Sequence, residues 1–226
     1  MSNKKSSSIN LIASLLFFAA LFFFILTFSI ALPIYCRPFY YAHIDALSLS
    51  EQSGFSEYQI KESYNSVLDY LTHNDREFSA GVMKFSGEGA QHFEDCKALF
   101  DLNASVLLIS ALVLIVLLVL RKAGKLSPFM LGKHSSAFYS AVCAVGIPLI
   151  VGGLASLNFE RAFTVFHKVF FPQKSNWIFY PEKDQIITVL PQRFFMNCAI
   201  LIGASILTFS LVLILCELRR QKQNNL

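Results

Sequence analysis

The sequence predicts an all-α integral membrane protein, with four transmembrane helices and a small helical extracytoplasmic cap. Three observations lead there. Charged residues make up 15% of the 226 positions, against roughly 25% in an ordinary globular protein. Hydrophobic residues make up 54%, with 23 phenylalanines among them, too much apolar surface for a soluble fold to cover or a disordered chain to tolerate. The polar residues are gathered between four long uncharged runs, each near or above the roughly 17–25 residues that span a hydrocarbon core as a helix.

The elements follow in order along a single membrane domain, residues 1–226. Span one runs from about Ile9 to Tyr35. Its apolar stretch far exceeds the 7–15 residues of a signal-peptide core. A polar segment then extends from Cys36 to Asn103. Ser56 is placed to cap a helix, after which Ile60, Tyr64, Val67, Leu68 and Leu71 recur at helical spacing, with Lys61, Glu62, Asn65 and Asp69 on the other side. That pattern predicts an amphipathic helix to Leu71. Gly87 and Gly89 break the chain before a helix over about Ala90 to Phe100, which runs into span two, Ala104 to Leu120. Span three lies between Ser135 and Leu157. The second polar segment, Asn158 to Arg193, opens with a helical stretch from Phe159 to Phe171 that Pro172 ends. Trp177, Tyr180, Pro181 and Pro191 then form an aromatic belt at headgroup depth before span four, Phe194 to Cys216.

Basic residues set the expected topology. Lys4 and Lys5 precede span one. Arg121, Lys122, Lys125 and Lys133 join spans two and three, and Arg219, Arg220 and Lys222 follow span four, with Glu217 as the one opposing acid. That side is expected to be cytoplasmic, with both termini, and the polar segments face outward. The spans carry no Asp, Glu, Lys, Arg or His, which argues against a proton pump or ion-coupled transporter. Nor do the halves repeat, as transporters built of paired repeats do. Tyr35 stands where lipid modification of Cys36 would want a small residue. Cys143, Cys198 and Cys216 fall in spans and read as small apolar side chains. Cys36 and Cys96 allow a disulfide that no spacing rule supports.

Candidate chemistry is confined to the polar segments. His43 and His73 are placed in loops, and His134 lies beside Lys133 on the cytoplasmic side. His92 and His167 differ, since each belongs to a short helix where the chain meets the membrane. Asp95, three residues beyond His92, shares its helix face and is expected to orient an imidazole. Taken alone, either histidine reads as a partly exposed structural residue. His92, Asp95 and His167 lack the spacing of a metal site, so no metal is expected. No GxSxG element offers a serine nucleophile, and no glycine-rich loop offers a phosphate or nucleotide cofactor a cradle. Arg161 is positioned to satisfy a helix end or meet an anionic headgroup. Trp177 reads first as an interface anchor and second as a substrate contact.

Two elements carry a resemblance. One is His92-Phe93-Glu94-Asp95-Cys96-Lys97. The other runs Phe166-His167, Phe170, Asn176-Trp177, Pro181, Asp184, Ile186-Ile187, Pro191 and Phe194. Together with span count and loop lengths, they resemble the lipoprotein intramolecular transacylase family of four-span bacterial membrane proteins. The resemblance implies an acyltransferase in the Gram-positive cell envelope. Its substrate would be a diacylglyceryl lipoprotein held among membrane lipid, whose sn-2 acyl chain moves from glycerol to the α-amine of the N-terminal cysteine, giving the lyso form. It further implies His92 and His167 as catalytic acid and base, with Asp95, Lys97, Arg161, Asn176, Trp177 and Asp184 supporting them or binding substrate. The chemistry is consistent with the residues present. The substrate's own amine, of pKa about 7.7–8.0, is the nucleophile, so a protein Ser or Cys is not needed, and an imidazole can move its proton. The chain is expected to act as a monomer without cofactor or nucleic acid. A non-enzymatic module binding a partner protein through its outer helices, and more distantly a small permease, are the competing readings. The two histidines are expected to converge on one cleft, with Asn176 or backbone N–H groups as oxyanion donors.

Overall fold

The structure, a computed structural model, describes residues 2–73 and 76–224, with side chains other than those of residues 2–6, 154 and 156. Lys4 and Lys5 of the topological argument thus lie outside the described side chains. Among the described residues the helices are α1 (Ser2–Tyr35), α2 (Arg37–Ala46), α3 (Leu49–Ser53), α4 (Glu57–Thr72), α5 (Gly87–Lys122), α6 (Ser136–Leu157), α7 (Phe159–Phe170) and α8 (Gln192–Asn224). A two-residue antiparallel hairpin, β1 (Met130–Leu131) and β2 (His134–Ser135), precedes α6, and a 3-10 turn spans Gln185–Thr188. Helices α1, α5, α6 and α8 are long and apolar enough to cross a membrane, as the four runs predict. Only 11–28% of each apolar window is buried within the protein, so the remaining apolar surface is left for lipid to cover.

The chain condenses into two compact units. One comprises Met1–Ile30, Ala104–Gly153 and Ile202–Leu226. Here Ala13 and Leu117 close on Phe129, which stacks on Phe17 at 4.4 Å, while Ile25, Ala144 and Ile206 form a second contact. Buried serines let the helices approach, as small residues do in membranes. Ser29 donates to the Ile25 carbonyl at 2.7 Å and meets Ser205 at 3.1 Å, and Ser140 donates to the Phe18 carbonyl at 2.9 Å. Buried Glu217 on α8 pairs with Arg220 at 2.6 Å, accepts from the Ser135 N–H at 3.3 Å, and lies 3.4 Å from His134. The hairpin is thereby fastened to the end of α8.

The other unit comprises Ala31–Asn103 and Leu154–Leu201. Helix α4 starts as the sequence predicts. Ser56 and Gln59 form a reciprocal capping box, which satisfies two otherwise open N–H groups. Ile60, Tyr64, Val67, Leu68 and Leu71 are buried on one face. They pack with Tyr40, Ile44, Leu49, Phe93, Ile186, Val189 and Phe194, so both polar segments share one core. Tyr40 lies flat on Tyr64, ring centroids 3.6 Å apart, and donates its hydroxyl to the Val189 carbonyl at 2.9 Å. Gly81, at φ +62, passes close to α4; a Cβ there would lie 2.8 Å from the Ser63 Cα.

Helices α2 and α3 were not anticipated. Their pattern is short, and proline in the first turn of α2 reads locally as a break, although that position tolerates it. The histidine at 43 is therefore helical, not in a loop. Its Nδ1 bonds the Phe39 carbonyl at 2.7 Å and its Nε2 meets Asn197 at 2.9 Å. Cys36 and Cys96 are free thiols.

Candidate acyl-transfer site

The site is built on the first turns of α5. Asp184, buried just before the 3-10 turn, accepts from the Ser86 N–H at 2.8 Å, and the Ser86 hydroxyl lies 2.9 and 3.0 Å from its two oxygens. That hydroxyl in turn accepts from the Gly89 N–H at 2.9 Å. Open N–H groups and the positive dipole end of a helix favour a carboxylate here. The Gln185 side chain adds a bond to the Lys84 N–H at 2.8 Å. The register of α5, and with it the direction of His92, is fixed by residues about a hundred positions later.

His92 and His167 meet, with ring centroids 5.9 Å apart and each residue 7% exposed. Aromatic rings enclose them. Phe171 and Phe179 lie 5.0 and 5.4 Å from His92; Phe163 and Trp177 lie 4.3 and 4.6 Å from His167. Desolvation disfavours an imidazolium in such a setting. Burial first, then the repulsion that two protonated rings would suffer and the charge of Lys174, push His92 down to about 4 against the opposing pull of Asp95. Burial also lowers His167, against its bond to Phe163. Both rings are therefore neutral at pH 7.

Their tautomers follow from the partners. His167 Nδ1 lies 2.7 Å from the Phe163 carbonyl, which can only accept. Nδ1 therefore carries the hydrogen, and Nε2 offers its lone pair. His92 Nε2 lies 3.4 Å from Cys96 Sγ, and its Nδ1 is buried without a partner. Burial pushes the Cys96 thiol up to about 12, so it stays protonated, a weak neighbour and not a thiolate.

Asp95 corrects an expectation. It does not hold an imidazole. Its Oδ1 is paired with Lys174, and its Oδ2 accepts from Asn176 Nδ2 at 3.0 Å. Burial pushes this carboxyl up, but those two donors outweigh it and hold the pKa below the usual carboxylate range. Because i and i+3 on a helix are near neighbours, sequence favoured the local partner; the loop after α7 supplies better-placed charge. Asn176 consequently faces Asp95, leaving its Oδ1 buried and unpartnered, an acceptor unsuited to an oxyanion.

The remaining candidates separate. Lys97 donates to the carbonyls of Tyr70 and His73, at 2.6 and 2.7 Å, and so closes the C-terminus of α4. Arg161 is exposed in the first turn of α7, its backbone N–H accepted by the Asn158 side chain at 2.8 Å. Trp177 stacks on His167 and donates Nε1–H to the Lys174 carbonyl at 3.0 Å. Lys174 was not singled out from sequence, where a surface lysine carries no signal. A shallow recess of about 440 Å³ between Tyr41, Tyr58, Lys61, Asn65 and Asp69 includes neither His92 nor His167. Among the described residues no cluster of His, Cys, Asp or Glu fits a metal ion.

A sequence profile of the family described as lipoprotein intramolecular transacylase Lit matches residues 15–195. Among solved structures, the chain is similar to the membrane integral lipoprotein intramolecular transacylase Lit from Bacillus cereus, solved in meso. The two are 24% identical over 97% of this chain and 98% of that one, with a TM-score of 0.84. Two variants of the Bacillus cereus protein, with a histidine replaced by arginine or by alanine, are each 22% identical with TM-score 0.78. They cover 99% of this chain and 97% and 100% of theirs. Comparison with curated proteins finds no match.

Proposed function

The chain belongs to the lipoprotein intramolecular transacylase family and is a membrane acyltransferase, and we propose that it moves the sn-2 acyl chain of a diacylglyceryl lipoprotein to the α-amine of the N-terminal cysteine. The observation that carries this reading is the pair of buried neutral imidazoles, 5.9 Å apart among aromatic rings. Family membership sets aside the non-enzymatic module.

The steps balance within one substrate. The neutral amine attacks the ester carbonyl, forming the C–N bond, and its proton passes to His167 Nε2, the nitrogen with the free lone pair. The bond from carbonyl carbon to the sn-2 oxygen then breaks, and that oxygen takes the proton back from His167 Nε2, leaving a glycerol hydroxyl, an amide and a neutral imidazole. His92 Nδ1 and Asn176 Oδ1, both buried and unpartnered, are suited to hydrogen-bond the reacting head group. Donor and acceptor are one molecule, so holding them in attack geometry supplies much of the acceleration. The Phe-rich walls suit acyl chains. The site faces outward, where lipoproteins stand, with both termini cytoplasmic.

Mass spectrometry of lipoprotein N-termini tests the proposal. Cells carrying the chain should contain lyso-form lipoprotein with one N-acyl and one O-acyl chain. Cells with the His92→Ala or His167→Ala variant should lose it by roughly 10²–10⁴ in rate, while His73→Ala and His134→Ala keep it. N-termini unchanged by the wild-type chain would overturn the reading.

A further inference from the structure

We propose that Lys174 is a positioning residue of this site, a latch to Asp95 that holds the loop after α7 so that Trp177 lies over His167. The proposal rests on the role of His167 given above.

The loop does not hold itself. Helix α7 ends at Phe170, and the chain turns through Gln173 at φ +63, a left-handed conformation unfavourable for a residue with a Cβ. Its internal backbone bonds are few: Lys174 N–H to the Phe171 carbonyl at 3.2 Å and Ile178 N–H to the Ser175 carbonyl at 3.1 Å. Phe171 and Phe179 pack on His92 of α5, and the polar tie between the loop and α5 is one carboxylate. Asp95 pairs with Lys174 on one oxygen and Asn176 on the other. The indole is tied to the same residue, because Trp177 Nε1–H donates to the Lys174 carbonyl. Lys174 thus joins α5 through its side chain and the indole through its backbone.

The magnitudes separate positioning from stability. The Lys174 side chain is 44% exposed and that of Asp95 19%, and an ion pair open to water on one side contributes little to folding. Its removal should leave the protein folded. Displacing a group that orients a catalytic imidazole is different, since about 1 Å can cost up to roughly 10²-fold in rate. An indole over His167 also favours the imidazolium formed when the ring takes the substrate's proton. The titratable group facing His167 from α5 is His92, which itself feels Asp95 and Lys174; the other ring neighbours, Phe163, Phe166, Phe171 and Trp177, are aromatic.

Trp177 is the single tryptophan of the chain, so its fluorescence reports this contact directly. A protonated imidazole quenches an indole stacked on it. Acid titration of the full chain in lipid or detergent should give an emission step that His167→Ala removes. Lys174→Met should lose at least half of that step and lower kcat about tenfold with KM within about twofold, and Lys174→Arg should restore both. A Lys174→Met protein that keeps the emission step and kcat would overturn the latch. If the emission step responds to Lys174 as expected but no protein transfers an acyl chain, the latch stands and the transacylase reading fails.

Discussion

The Asp184 carboxylate fills the space a side chain on Gly89 would need: a Cβ there would lie 2.2 Å from Oδ1. The glycine is therefore required by contact with a distant carboxylate, and the turn carrying His92 depends on both residues.

Gly89→Ala should displace Asp184 from the start of α5, and Asp184→Ala should leave the Ser86 N–H and hydroxyl without their acceptor. A fully buried unmet donor costs about 1–3 kcal/mol, and half-buried Ser86 sets the cost toward the lower end of that range. Both variants should melt at lower temperature than the wild type in thermal denaturation followed by circular dichroism. A Gly89→Ala protein of wild-type stability would contradict the arrangement.

Proton linkage gives a signed prediction. Burial holds the pKa of His92 down to about 4 in the folded chain, against 6.5 for a free imidazole. Between those values the unfolded chain holds a proton that the folded chain does not. This histidine's contribution to stability is therefore full above about pH 6.5 and is lost as the pH falls through about 4, on the order of 3 kcal/mol. His167, also lowered, acts in the same direction. Denaturant titrations from pH 7 to pH 4 should show stability falling, and His92→Gln should flatten the curve. A stability that rose on acidification across that window in the wild type and not in His92→Gln would reverse the assignment.

Catalysis should follow a different group. With His92 neutral throughout, kcat/KM should rise with pH toward the pKa of the substrate amine, roughly 7.7–8.0, as the attacking form accumulates. An acid limb near 4 as the sole ionisation would count against the amine as nucleophile.

Cysteine labelling from either side of the membrane tests the topology. Substituted cysteines at Lys125 and Tyr180 should react from opposite sides, since Lys125 belongs to the basic connection and Tyr180 to the polar segment with the site. Labelling of both from one side would defeat the outward placement.

The sequence specifies the fold class, the four membrane helices and α4, because length, charge exclusion and apolar period are local properties that a bilayer or a core face enforces. It also singled out His92 and His167, whose place in helical stretches beside the apolar runs is a local pattern too. Helices α2 and α3 escaped notice because their periods are too short to stand out, and they are held by Tyr40 and Ile44 of α2 and Leu49 of α3 in a core shared with Ile186 and Val189. Which partner Asp95 takes, why position 89 is glycine, and how Trp177 comes to face His167 emerge from the folded chain. Those outcomes depend on contacts between residues about eighty to a hundred positions apart, or on a loop whose shape follows from them. A carboxylate takes the best-placed charge in space, and on paper the nearest donor along a helix is only the nearest in sequence.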